Sequence, residues 1–195
     1  MIDTTIIDSL VKIVGTEHVL SNPYDLDRYS GDALTPFRAF GAEQAFERLA
    51  DAVARPGSAQ EVSEIVSLAN LNATPVIPYG GGTGVMGAVV PAMGGIVLDL
   101  QRMNKILTIN PTDMTAEVEA GVVLEDLENA LFDLGLMPGH DPYSVPIATV
   151  GGTISTNGVG YRAGAYGPMG DQVVALEAVL ADGRIMGTRA VPNQS

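Results

Sequence analysis

Glycine is concentrated in two short stretches of this chain. Residues 80–95 hold seven and residues 151–170 hold seven more, together fourteen of the 23 in the sequence. Glycine loses more conformational freedom on folding than any other residue. Such density therefore marks backbone that approaches something closely or adopts positive φ. Charge is missing from the same places. No Lys or Arg occurs between Arg55 and Arg102, or between Lys105 and Arg162. An anion held by these stretches must therefore be held by backbone N–H groups and hydroxyls, the usual grip on a pyrophosphate.

The composition narrows the class. A chain of 195 residues, 46% hydrophobic and 17% charged, is long enough for a full core, as one domain or two small lobes. Its net charge of −13 repels phosphate backbones and anionic membranes, and it has no Trp for stacking bases, so nucleic acid is excluded as the expected partner. With no cysteine, disulfides, thiolate catalysis and Cys-ligated zinc are impossible. Paired His or carboxylates at metal-ligand spacing are absent, so no metal is expected. No run is apolar for the roughly 18 residues a membrane span requires, and no basic-then-apolar leader opens the sequence. The expected location is the cytoplasm.

Along the chain, Ile2, Ile6, Ile7, Leu10, Val11 and Val14 form a helical stripe ended by Gly15, and Asn22–Phe40 reads as irregular. Ala52–Ala54 reads as a strand stopped by Pro56-Gly57. Ser58 and Glu61 then have capping-box spacing ahead of a helix with Val62, Ile65, Val66 and Ala69 on one face. Thr74–Pro78 and Gly95–Leu100 are short apolar strands on either side of the first glycine stretch. This order predicts a small parallel βαβ lobe at about 48–104, after a helical lead at 1–47. From Lys105 onward, strands at Ile106–Ile109 and Thr115–Ala120 flank the turn Asn110–Asp113. A helix carrying Leu124, Leu127, Ala130, Leu131 and Leu134 stops at Gly135, and Val173–Leu180 with Ile185–Gly187 flanks an Asp182-Gly183 hairpin turn. The second lobe, about 105–195, is therefore mixed, with its own glycine loop between helix and hairpin. The fold class is α+β.

Gly82-x-Gly84-x-x-Gly87 matches the dinucleotide fingerprint by letter. That fingerprint requires a following helix, and Pro91 with Gly94-Gly95 leaves no room for one. A Walker loop is excluded because no Lys follows the glycines. A purely structural glycine-rich turn is the remaining alternative to a ligand loop.

Several segments in order resemble one family. They are Pro78–Gly84, Gly95–Asn104, Glu119–Val122, Gly135-Leu136, Asp141-Pro142, Thr149–Gly152, Thr156–Gly158, Tyr166-Gly167 before Asp171, and Leu180–Gly183. Together they resemble the FAD-binding domain of the vanillyl-alcohol oxidase (PCMH-type) flavoproteins over about residues 48–190. The resemblance is greatest to FAD-linked 2-hydroxyacid oxidases and dehydrogenases of the glycolate oxidase D-subunit type. It implies a two-lobed domain in which Gly80, Gly81, Gly82, Thr83 and Gly84, entered through Pro78 and Tyr79, wrap the FAD pyrophosphate. Pro142, Ser144, Thr149, Gly151 and Gly152, with Thr156, Asn157 and Gly158, would line the adenosine and isoalloxazine sides. Many relatives carry Arg at the position of Tyr79, and some link the flavin through a His in this loop. Thr83 and Gly84 offer no such linkage, so the implied FAD is non-covalent.

In this family a Gly-Ser-Glu-Gly segment and a substrate-binding cap domain follow the hairpin. The sequence reaches Ser195 before either, so the expectation is a C-terminally incomplete flavin domain whose catalytic residues lie elsewhere. The implied reaction is oxidation of a small hydroxyacid by hydride transfer to the flavin. An electron acceptor or O2 completes the cycle, and other subunits or the missing C-terminal part are partners. The tail Thr188–Pro192 also resembles alkylglycerone-phosphate synthase relatives. A non-catalytic flavin-binding subunit is a third reading. His140 reads as a hydrogen-bonded surface residue, and Arg162 as an ion-pair partner for one of the many acids.

Overall fold

A computed structural model describes residues 2–33 and 49–188. The expectations for 34–40 and for the tail from 189 lie outside the described residues. Helix α1 (Thr4–Val14) starts where the Asp3 side chain accepts from the Thr5 N–H, and ends at Gly15, whose φ is +90°. Its stripe of Ile6, Leu10 and Val14 is buried. A 3-10 turn at 16–18 leads into β1 (Val19–Leu20), and α2 (Pro23–Arg28) follows. This second helix corrects the expectation of irregular chain there. Asn22 caps it through Asp25 N–H, and Pro23 occupies the first turn, where its missing N–H costs nothing.

Strands β2 (Ala52–Ala54), β3 (Val76–Tyr79) and β4 (Ile96–Asp99) join β1 in a sheet of order β1-β2-β4-β3. β1 runs antiparallel to β2, while β4 pairs in parallel with both β2 and β3. Helix α3 (Ala59–Leu71) connects β2 to β3. Ser58 Oγ accepts from Glu61 N–H at 3.2 Å, but the Glu61 carboxylate reaches back to the N–H of Gly57 at 2.8 Å, one residue before the cap. Alternation along β2 and β4 sorts the core into two layers. Ala52, Ala54, Ile96 and Leu98 meet Leu10 and Ile65 on the α1/α3 face. Val53 and Val97 meet Leu26 of α2 on the other. Both faces are covered, as parallel strands require.

The second half centres on a hairpin, β5 (Ile106–Asn110) and β6 (Thr115–Val118), whose turn is tied by the Asn110 side chain accepting from Thr112 and Asp113 N–H groups. Helix α4 (Leu124–Phe132) packs Leu124, Leu127 and Leu131 against Val122, Ala148 and Val150. It ends short of Leu134, which is 49% exposed, so that residue leaves the predicted stripe. Two short helices follow, α5 (Val150–Ser155) and α6 (Ala163–Tyr166), then a 3-10 turn at 169–172. The predicted second glycine loop is thus largely helical. Hairpin β7 (Glu177–Val179) and β8 (Ile185–Gly187) docks on α3, where Ser63 Oγ donates to the Gly183 carbonyl at 2.5 Å.

Candidate functional site

The first glycine stretch leaves the C-terminal end of β3 without forming a helix. Half-buried Gly80 and Gly81 lie flat against the segment entering α5. A Cβ at Gly80 would fall on Thr149 Oγ1, and one at Gly81 on the Ile147 carbonyl. Gly82 has φ +63°, and the Tyr79 hydroxyl fills the space where its side chain would stand. Burial first, then the Asp99 and Asp32 carboxylates, raises the Tyr79 hydroxyl above its ordinary range, so it remains protonated.

The backbone amides decide what this loop can do. Among the described residues, the N–H groups of Gly81, Gly82, Thr83 and Gly84 donate to no protein acceptor. Gly81, Gly82 and Thr83 are half-buried and Gly84 is exposed, so this run of open donors, in a stretch with no Lys or Arg of its own, is available to an anionic acceptor. The Gly82 conformation and the donor set both suit a pyrophosphate.

The other sequence-predicted residues fall into two groups. Thr149 caps α5 by accepting from Gly152 N–H at 3.3 Å, and Gly151 N–H donates to the Ala120 carbonyl at 2.8 Å. The Pro142 and Ser144 carbonyls fold the turn before α5 by accepting from Val145 and from Ile147 and Ala148. This group adjoins the first loop, through Gly80 and Gly81 and through Tyr143 Oη, which donates to the Thr83 carbonyl at 3.5 Å. Thr156, Asn157 and Gly158 lie at the far end of α5. Asn157, with φ +47°, accepts from Gly170 N–H at 2.9 Å, and Gly158 packs against the His140 ring.

His140 corrects its surface reading. It is 2% exposed, and neither ring nitrogen has a partner among the described residues. Burial lowers its pKa, with neighbouring Asp141 opposing the shift. It is therefore a neutral buried imidazole. Arg162 is paired as expected, with Asp141 at 3.2 Å and Glu128 at 3.6 Å. No His, Cys, Asp or Glu group among the described residues could hold a metal.

Three residues missed in the sequence bear on the loop. Asp99, 2% exposed at the end of β4, accepts from the Tyr29 hydroxyl at 2.8 Å and from Gln101 N–H at 2.9 Å. Gln101 donates its side-chain amide to the Gly80 carbonyl at 2.8 Å. A carboxylate closing an otherwise apolar strand was the only available signal; the partners stand too far away in sequence to be read.

The profile of a family described as FAD binding domain matches residues 50–189. Glycolate oxidase subunit GlcD of Bacillus subtilis is 35% identical over 188 residues, covering 96% of this chain and 38% of that protein. D-lactate dehydrogenase of Archaeoglobus fulgidus is 41% identical over 172 residues, covering 87% of this chain and 37% of that one. Among solved structures, an alkyldihydroxyacetonephosphate synthase superimposes with a TM-score of 0.86 at 26% identity, covering 100% of this chain and 40% of that one. The chain spans less than half the length of each.

Proposed function

This chain belongs to the FAD-binding domain family, and we propose that it forms the flavin-binding part of an oxidoreductase acting on a small 2-hydroxyacid such as glycolate or D-lactate. FAD is the cofactor, and the open amides of Gly81–Gly84 are the observation that carries the reading onto these residues. Bound there, the flavin supplies a hydride acceptor; the protein supplies position and polarity. In the proposal, the loop amides hold the diphosphate, with Pro78, Tyr79 and Gly80 setting the loop's path. Pro142, Ser144, Thr149, Gly151 and Gly152 form the adjoining wall, and Thr156, Asn157 and Gly158 extend it.

Oxidation of a hydroxyacid also needs a base for the hydroxyl proton and a cation for the carboxylate. Arg162 is engaged with two carboxylates and His140 is buried, so neither is assigned to that work. Among the described residues no helix is long and apolar enough to cross a membrane. The proposed setting is the cytoplasm, with an electron acceptor or O2 and other subunits as partners.

The test is direct. Protein expressed from its complete reading frame should purify yellow, and acid should release FAD, leaving no flavin on the denatured chain. Anaerobic addition of glycolate or D-lactate should bleach the bound flavin. The TM-score of 0.86 to alkyldihydroxyacetonephosphate synthase supports a second reading, in which the flavin is not reduced by a hydroxyacid. Bound FAD that no 2-hydroxyacid bleaches would favour it.

A further inference from the structure

One short segment holds both ends of the first glycine loop, and it precedes the matched domain, which begins at residue 50. At the Gly80 end the hold is a chain of hydrogen bonds. Tyr29, the residue closing α2, donates to Asp99 Oδ2 at 2.8 Å, and Asp99 Oδ1 accepts from Gln101 N–H at 2.9 Å. Gln101 in turn donates to the Gly80 carbonyl at 2.8 Å. The Tyr29 ring also meets Tyr79 edge-on, centroids 4.9 Å apart. At the far end, Asp32 Oδ2 accepts from Gly87 N–H at 3.1 Å and stands 3.1 Å from where a Cβ of Gly84 would be.

We propose that Tyr29 and Asp32 are positioning residues for the cofactor loop, fixing its two ends so that the amides between them point together before the ligand arrives. The inference rests on the reading of Gly81–Gly84 as the diphosphate cradle. A run of N–H groups binds an anion well only when little ordering remains to be done on binding, and tethers at Gly80 and Gly87 supply that order. Asp32 acts through geometry. Its carboxylate accepts from Gly87 N–H, and that hydrogen bond is what fixes the far end of the loop. Asp99 is buried with both oxygens engaged, which makes the Tyr29 hydroxyl part of the condition for a settled loop.

The experiment measures FAD affinity by fluorescence titration of the apoprotein made from the complete reading frame. It compares wild type with Tyr29→Phe, Asp32→Ala and Asp32→Asn. Losing a hydrogen bond to a charged group predicts about tenfold weaker binding for Tyr29→Phe and Asp32→Ala. Asp32→Asn keeps an acceptor for the Gly87 N–H, so it should bind FAD within about twofold of wild type while Asp32→Ala does not. Amide exchange supplies a second readout that needs no variant. The Gly87 N–H should be protected in the apoprotein, and an amide exchanging there at the open-chain rate would overturn the tether. Wild-type protein with no affinity for FAD would instead sink the cradle reading. Wild-type binding with unchanged affinity in Tyr29→Phe and Asp32→Ala would leave the cradle standing and refute the positioning role.

Discussion

The two glycine-rich stretches hold seven glycines each and do different things with their amides. In the second, Gly151 donates to Ala120, Gly158 to Thr153 and Gly167 to Ala163, while Gly170 donates to the Asn157 side chain. In the first, four consecutive amides from Gly81 to Gly84 donate to nothing among the described residues. Close packing explains glycines in both: Gly81 lies against the Ile147 carbonyl, Gly151 against Ala120, and Gly160 against Asp141. Glycine density therefore marks tight backbone, and the proposed cradle rests on a run of consecutive open N–H groups rather than on the glycines themselves.

That distinction is broken or sharpened most strongly by Gly81→Val. Its side chain would displace the Ile147 carbonyl and tilt the open amides. FAD affinity should fall by about a hundredfold or more while far-UV circular dichroism stays near wild type. Unchanged affinity would remove the loop from the cofactor site. Next comes Gly151→Ala in the second stretch, where the added carbon would stand 2.7 Å from Ala120 Cβ. The expected result is a loss of about 1–3 kcal/mol in urea denaturation. A loss of FAD affinity at full stability would show that this stretch is a cradle too.

A smaller effect concerns the imidazole beneath the second stretch. Burial holds the His140 pKa below its ordinary value of 6.5. Once the pH falls below 6.5, the unfolded chain binds more protons than the folded one. The stability contributed by neutral His140 is therefore full above that pH and is lost as pH drops toward the lower folded value. The slope cannot exceed about 1.4 kcal/mol per pH unit. Denaturation curves between about pH 5 and 7 should show this decline in wild type and a flatter line in His140→Gln. Equal slopes would mean that the ring finds water or a partner when it is charged. The smallest change is Gly164→Ala in α6, where nothing lies within 4 Å of the new carbon. It should stabilise the protein by about 0.4–1 kcal/mol without altering FAD binding. A destabilised variant would show that Gly164, too, faces a packed neighbour.

The sequence made local features legible and non-local ones illegible. The stripe of α1, the Ser58 cap of α3 and the Asn110 turn were readable because each is set by residues within a few positions of one another. Helix α2 was missed although Asn22-Pro23 is an N-cap followed by a first-turn proline; with only six residues it lacks the repeated apolar spacing that identifies a longer helix. Helix α5 was read as a loop because Gly151-Gly152 argues against helix locally. Burial of Val150 and Thr153 overrides that preference. At the candidate site, the glycines and the absence of cations were visible. The contacts of Tyr29 with Asp99 and of Asp32 with Gly87 were not, since they join residues 70 and 55 positions apart.

The place of β4 between β2 and β3 also governs the order of assembly. As the chain is synthesised, β1 and β2 can pair early, but β3 has no neighbour among the described strands until Ile96–Asp99 has been made. Inserting a strand between two that precede it is a long-range closure, slow compared with forming α1 or α3. The same late strand brings Asp99, and with it the anchor for Tyr29 and Gln101. A nascent chain therefore completes its parallel sheet and gains the Asp99 anchor in a single event, while Gly80 and Gly81 wait for Ile147 and Thr149 to pack against them, and a flavin arriving before both would find no platform to recognise.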